Sequence, residues 1–177
     1  NIDVLLDAYR LSGVHERGVG LVLVGQGPLE AHLRERIAAS GLGASVSILR
    51  SLANREMPNL YALAEFVVLA SEFDQWGLCV SEAFAAGCPA IVTRTCGVAD
   101  EVVIDGTNGF VVEPRDVATL AQRIAQLGRD RALRERFALN AQSTIRRWTP
   151  LLFASSALEL AEAATRDARD AAHHEHV

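Results

Sequence analysis

Lysine is absent from this sequence, and all 17 of its positive residues are arginine. Chemistry that requires a lysine must therefore be supplied from outside these residues. Together with the abundant alanine, the absence reads as the codon bias of a GC-rich, bacterial genome. Cysteine is scarce as well. Cys79, Cys88 and Cys96 are odd in number and form no Cys-x-x-Cys pair, which argues against a disulfide framework or a zinc site and fits a reducing cytosol. No apolar run reaches the roughly eighteen residues that a membrane helix needs, and the start does not resemble a signal peptide. Basic residues are outnumbered by 22 acidic ones, for a formal charge of −5. No basic face for nucleic acid is expected.

What is present suits a single soluble domain. The chain has 177 residues, half of them hydrophobic, and 13 glycines, enough to bury a core. At the start, Ile2, Leu5, Leu6 and Tyr9 recur at helical spacing. Opening in mid-helix at Asn1 predicts a fragment of something larger. Leu21-Val22-Leu23-Val24 is short and wholly apolar, as in a buried strand. Gly25-Gln26-Gly27-Pro28 ends it and starts a helix carrying Leu29, Leu33 and Ile37. Further strands are expected at 46–49, 66–70, 90–93 and 109–112, with helices at 55–64, 77–86 and 98–103. Beyond Pro114 the chain reads as helices near 116–127, 130–147 and 150–169, and His173-His174-Glu175-His176 as a frayed tail. Alternating apolar strands and helices imply an α/β fold with a parallel sheet covered by helices on both faces.

Open parallel sheets bind ligands beyond the carboxyl ends of their strands, so the loops after the strands carry the interest. The Gly25 to Pro28 turn resembles the opening of a dinucleotide fingerprint. Glu30 stands where the third glycine belongs, and a carboxylate there opposes a pyrophosphate. A tight turn for helix packing explains the pattern equally well, and a dehydrogenase reading rests on this turn alone. The run from Ser71 to Pro89 carries more chemistry. An acidic loop enters a helix through Trp76-Gly77, leaving the N–H groups of Leu78, Cys79 and Val80 to form an anion site with the helix dipole. Glu82 lies one turn on, placed to accept hydrogen bonds from a diol such as a ribose, and Asp74 precedes the helix. Taken singly, Asp74 and Glu82 are also what ordinary surface carboxylates flanking a helix start look like.

The whole run resembles the carboxy-terminal domain of family-4 (group 1) glycosyltransferases of GT-B fold, whose signature is S-x-x-E-x-[FW]-G-L-x-x-x-E-A-x-A-x-G-x-P. Ser71, Trp76-Gly77-Leu78, Glu82-Ala83, Ala85, Gly87 and Pro89 match it, with Asp74 in place of the first Glu and Glu82 eight positions on. Asn1 to Tyr9, Val24 to Leu29, Glu56 to Ala64, Gly97, Glu101 to Val103, Asp105 to Gly109, Pro114 to Asp116 and Trp148 extend the similarity over nearly the whole chain.

The resemblance implies a retaining hexosyltransferase that moves a sugar from a nucleotide-diphosphate-sugar donor to a glycan or lipid-linked acceptor, as in polysaccharide biosynthesis. It implies no cofactor and no metal. The backbone at Gly77, Leu78 and Cys79 would hold the diphosphate beside Trp76, Glu82 the ribose, and Asp74 the transferred sugar, which makes Asp74 and Glu82 the catalytic candidates. Gly25, Gly27 and Arg50 complete the donor-binding set. Arg50 replaces a frequent glycine and could stack on the base, reach a phosphate or be merely solvated.

On this reading, residues 1–147 are a Rossmann-like nucleotide-sugar-binding domain whose first strand is missing, and 148–177 are a carboxy-terminal helix and tail. The acceptor domain and any peripheral membrane contact, at the inner face of the membrane, would lie outside these residues. The isolated chain would then be inactive. The alternative is a nucleotide-sugar-binding module without catalysis, of which Asp74 and Arg50 would be the marks.

Overall fold

The computed structural model describes residues 1–174. Helix α1 (Ile2–Ser12) buries Leu5, Leu6 and Tyr9 on one face. A turn of 3-10 helix (Val14–Arg17) leads to strand β1 (Leu21–Val24). Helix α2 (Glu30–Ala39) begins two residues later than the sequence suggests, because the Glu30 N–H closes a turn onto the Gly27 carbonyl (3.2 Å). Strand β2 (Val46–Leu49), helix α3 (Met57–Leu63), strand β3 (Val67–Leu69) and helix α4 (Leu78–Ala85) come next. Strands β4 (Ala90–Thr93) and β5 (Gly109–Val112) precede helices α5 (Val117–Arg129), α6 (Arg131–Ile145) and α7 (Pro150–His174).

The strands pair in parallel throughout, but in two sheets rather than one. β1 lies beside β2 from Leu21–Val46 to Val24–Leu49, and the order of the other sheet is β3-β4-β5. The two share an apolar core. In β4 and β5 successive side chains point to opposite clusters, as the period of two requires. Ile91, Phe110 and Val112 pack with α1, α5 and α6, whereas Ala90, Val92 and Val111 pack with α4 and the 96–103 segment. Both faces are covered there. At β1 only Leu23 is buried, and its neighbours Val22 and Val24 are exposed.

The helix expected at 98–103 is a single turn instead. The Val98 carbonyl accepts from both Val102 N–H (3.0 Å) and Val103 N–H (2.9 Å), and Asp100 sits at φ 66°, which no α-helix continues through. Buried Asn108 pins the end of this turn: its Nδ2 donates to the Val102 carbonyl (2.9 Å) and to Thr144 Oγ1 (3.1 Å), and its Oδ1 accepts from Ile104 N–H (2.8 Å). The last two helices before α7 start where aspartates cap them, Asp116 on Thr119 N–H and Asp130 on Leu133 N–H, each at 2.9 Å. His173 and His174, expected in a frayed tail, instead continue α7 past the expected end at 169, and residues 175–177 lie outside the described residues. No helix among the described residues is long and apolar enough to cross a membrane.

Candidate functional site

The carboxyl ends of β3 and β4 open into two loops, 70–77 and 94–98, that are strapped together by their backbones. Asp74 and Cys96 form a parallel bridge. Gly97 N–H donates to the Asp74 carbonyl (3.0 Å) and Val98 N–H to the Trp76 carbonyl (2.8 Å). The hydroxyls of Thr93 and Thr95 both donate to the Ser71 carbonyl. The approach is so close that a β-carbon on Gly97 would stand 2.2 Å from the Gln75 carbonyl oxygen. An ion pair between Glu72 and Arg115 adds a tie to the loop after β5, and Arg115 holds the Glu72 carboxyl below the usual carboxylate range.

This frame sets the entry to α4. Gly77 adopts φ 93°, a backbone conformation that favours glycine, whereas the atoms nearest the place of a β-carbon, Leu69 Cδ2 at 2.8 Å and Val98 Cγ2 at 3.1 Å, are ends of side chains that can give way. Val80 N–H, expected to be free, donates back to the Gly77 carbonyl (2.9 Å). The N–H groups of Leu78 and Cys79 at the first two helical positions have no protein acceptor among the described residues. One of the three donors expected to face an anion is therefore committed to the backbone. Two donors left without a protein acceptor among the described residues, at the positive end of a helix, are a geometry that can receive an anion.

Asp74 and Glu82 both lie near Cys79, whose thiol is pushed up to about 11, first by burial and then by these two carboxylates. The thiol thus stays protonated at neutral pH, which weakens it as a nucleophile. Asp74 is half-buried, and its Oδ1 accepts from Trp76 N–H (3.0 Å), which closes the turn into α4. Glu82 is exposed, and its Oε2 accepts from the hydroxyl of Tyr61 on α3 (3.0 Å). Trp76 packs on Trp148, ring centroids 5.2 Å apart.

Gly25, Gly27 and Arg50 occupy the carboxyl ends of β1 and β2, where Gly25 N–H donates to the Leu49 carbonyl (2.9 Å). Arg50 is exposed, beside the Glu30 carboxylate, which is itself paired with Arg34 (2.8 Å). The site residues thus form two groups. Asp74, Trp76, Gly77, Leu78, Cys79 and Glu82 belong to the α4 entrance, while Gly25, Gly27 and Arg50 belong to the other sheet, with no hydrogen bond between the groups among the described residues. Tyr61 lies in the 56–64 stretch that shares the family resemblance, and Thr93 and Thr95 lie in the 93–97 loop beyond a strand end, but the sequence assigns none of the three a role. A tyrosine in an otherwise apolar helical stripe was the one available hint of the first.

The family model described as glycosyl transferases group 1 matches residues 1–144. Alpha-D-kanosaminyltransferase of Streptomyces kanamyceticus is 33% identical over 125 residues, 71% of this chain and 32% of the relative. Glycogen synthase of Mycobacterium tuberculosis is 31% identical over 143 residues, 81% of this chain and 34% of the relative. Among solved structures, a mutant of S. aureus TarM in complex with fondaparinux, alpha-GlcNAc-glycerol and UDP superposes with a TM-score of 0.80 at 21% identity, covering 90% of this chain and 32% of that one. Anabaena HepE in complex with UDP and glucose gives a TM-score of 0.74 at 25% identity, covering 87% of this chain and 44% of that one. The chain spans about a third of the length of the two curated relatives named. It belongs to the group 1 glycosyl transferases.

Proposed function

We propose that this chain is the donor-binding part of a retaining glycosyltransferase that transfers a sugar from a nucleotide-diphosphate-sugar to a glycan or lipid-linked acceptor. The observation that carries the reading is the α4 entrance. Two backbone donors without a protein acceptor among the described residues, Leu78 and Cys79 N–H, sit at the positive end of a helix and are flanked by the carboxylates of Asp74 and Glu82. An anion with hydroxyl-bearing groups on either side fits this arrangement, as a nucleoside diphosphate linked to a sugar does. Family membership, and the UDP bound by TarM and HepE, support the same class of ligand.

In this reading the diphosphate lies on the start of α4, Glu82 accepts from the ribose hydroxyls and Asp74 faces the sugar. As the bond between anomeric carbon and phosphate oxygen breaks, charge grows on the leaving diphosphate. Donors already aimed at that position stabilise it without reorganising. No metal or cofactor enters this scheme. Asp74 has one oxygen committed to Trp76 N–H, which leaves Oδ2 for the sugar and for the positive charge that develops on it. Arg50 and the Gly25 to Gly27 turn supply the far wall, towards the base. The acceptor, and any contact with the inner face of a membrane, belong to parts outside these residues, so the chain alone does not catalyse transfer.

The alternative, a binding module without catalysis, is favoured by the same commitment of Asp74 Oδ1. Calorimetric titration of the natural full-length protein with UDP, GDP and ADP tests the site. One nucleotide should bind, and Glu82→Ala should weaken it by roughly 1–3 kcal/mol, the scale of hydrogen bonds to a charged group. Failure of all three to bind would overturn the donor-site reading. Turnover of the corresponding nucleotide-sugar then separates enzyme from module.

A further inference from the structure

Resting on the ribose-binding reading of Glu82, we propose that Tyr61 is a positioning residue for the donor: its hydroxyl fixes one carboxylate oxygen of Glu82 and presents the other to the ribose. The two residues are 21 positions apart and meet only because α3 packs on α4.

Their environments differ in the way such a division of labour needs. Tyr61 is 5% exposed, its ring held among Ala83 and Cys88 with Met57, Val67, Cys79 and Ala86 around them. Its two side-chain torsions are thereby set. Glu82 is exposed at the site, and a glutamate there has three torsions to lose on binding a ligand. The Tyr61 hydroxyl, the one polar atom of that side chain, reaches Glu82 Oε2 at 3.0 Å. Glu82 Oε1 has no protein partner among the described residues. The carboxylate is thus held by one oxygen in advance and keeps the other as an acceptor, the preorganisation that lowers the cost of binding.

The hydroxyl also stays a donor. Burial first, and then the bond to Glu82, push the Tyr61 phenol well above its ordinary value, so it stays protonated at neutral pH. Phenylalanine at this position keeps the ring and removes only the donor. The acceptor that loses its partner is an exposed carboxylate oxygen that water can satisfy, so the fold should tolerate the change.

The test is a double-mutant cycle in the natural full-length protein, read by calorimetry with UDP, GDP and ADP and with the 2′,3′-dideoxy form of whichever binds. Tyr61→Phe should weaken the ribonucleotide roughly 3- to 10-fold, the range of one modest hydrogen bond. It should leave the dideoxy form unchanged, and it should have no further effect on a Glu82→Ala background. A purely structural role for Tyr61 would instead weaken both nucleotides alike and add to Glu82→Ala. That result, or full ribonucleotide affinity in Tyr61→Phe, overturns the inference while leaving Glu82 in place. Unchanged affinity in Glu82→Ala overturns the ribose reading itself and this inference with it, as does failure of all three nucleotides to bind the unaltered protein.

Discussion

Cys88 is 2% exposed, and burial pushes its thiol up to about 12 from an ordinary value near 9. Cys79 is raised to about 11, chiefly by burial. Once the chain unfolds, both thiols ionise near 9, so above that pH the unfolded chain binds fewer protons than the folded one. The free energy of unfolding must then fall as pH rises from about 9 towards 12, and it is unaffected by these groups below that window. Denaturant titrations between pH 7.5 and 10.5 should therefore give a declining stability. Cys88→Ala, whatever it costs at neutral pH, should make the decline shallower. Parallel curves for the two proteins would show that Cys88 does not carry the effect. At the same scale, Gly97 illustrates a residue chosen by its neighbour, since the Gln75 carbonyl takes the space of any side chain.

Among the elements, the turn over 98–103 is the most informative. Val98, Val102 and Val103 have helical spacing and are all buried, so periodicity suggests a helix. The chain makes a single turn because Asp100 has positive φ and because Asn108, from beyond the segment, takes the Val102 carbonyl. Periodicity reports which side chains face inward and is blind to a hydrogen bond arriving from six residues away. Asn108→Ala strips three hydrogen bonds from a buried position and should cost about 2–4 kcal/mol, measured by chemical denaturation. A cost below about 0.5 kcal/mol, the range of an ordinary surface change, would mean that the turn holds itself.

Other elements were legible for plain reasons. Asp116 and Asp130 stand directly before amphipathic runs, and both cap. The strands at 46–49, 90–93 and 109–112 are mostly apolar runs, and they appear at those bounds. The α4 entrance could be read because its residues fall within one continuous stretch, 74–82. Tyr61 could not, since what it does depends on how α3 docks against α4.

For the whole molecule, the question is how two sheets behave as one unit. A single apolar cluster runs from α1 and β1 through Ile91, Phe110 and Val112 to α5 and α6. Phe137, 1% exposed and edge-on to Phe110 at 5.2 Å between centroids, stands within it. Phe137→Ala should cost about 3–5 kcal/mol and lower the stability of both sheets together, as followed by hydrogen exchange in β1 and β4. Phe73→Ala, at an 80% exposed position, should change stability by less than about 0.5 kcal/mol. Loss of protection in β4 alone after Phe137→Ala would mean that the sheets unfold separately. The edges that β1 and β3 leave unpaired among the described residues do not weaken this coupling, because it runs through side chains rather than through the ladder.

The contact between Trp76 and Trp148 also makes the protein its own optical reporter. These are the only two tryptophans in the chain, and they touch each other immediately beside Gly77. Excited at the red edge, where tyrosine does not absorb, the emission of these 177 residues comes from one spot next to the helix entrance. Their indole rings, 5.2 Å apart between centroids, lie close enough to couple, and near-ultraviolet circular dichroism should carry that signature. A ligand taken up at the α4 entrance, as proposed above, should change this emission, so its binding would be read by light alone with no label attached.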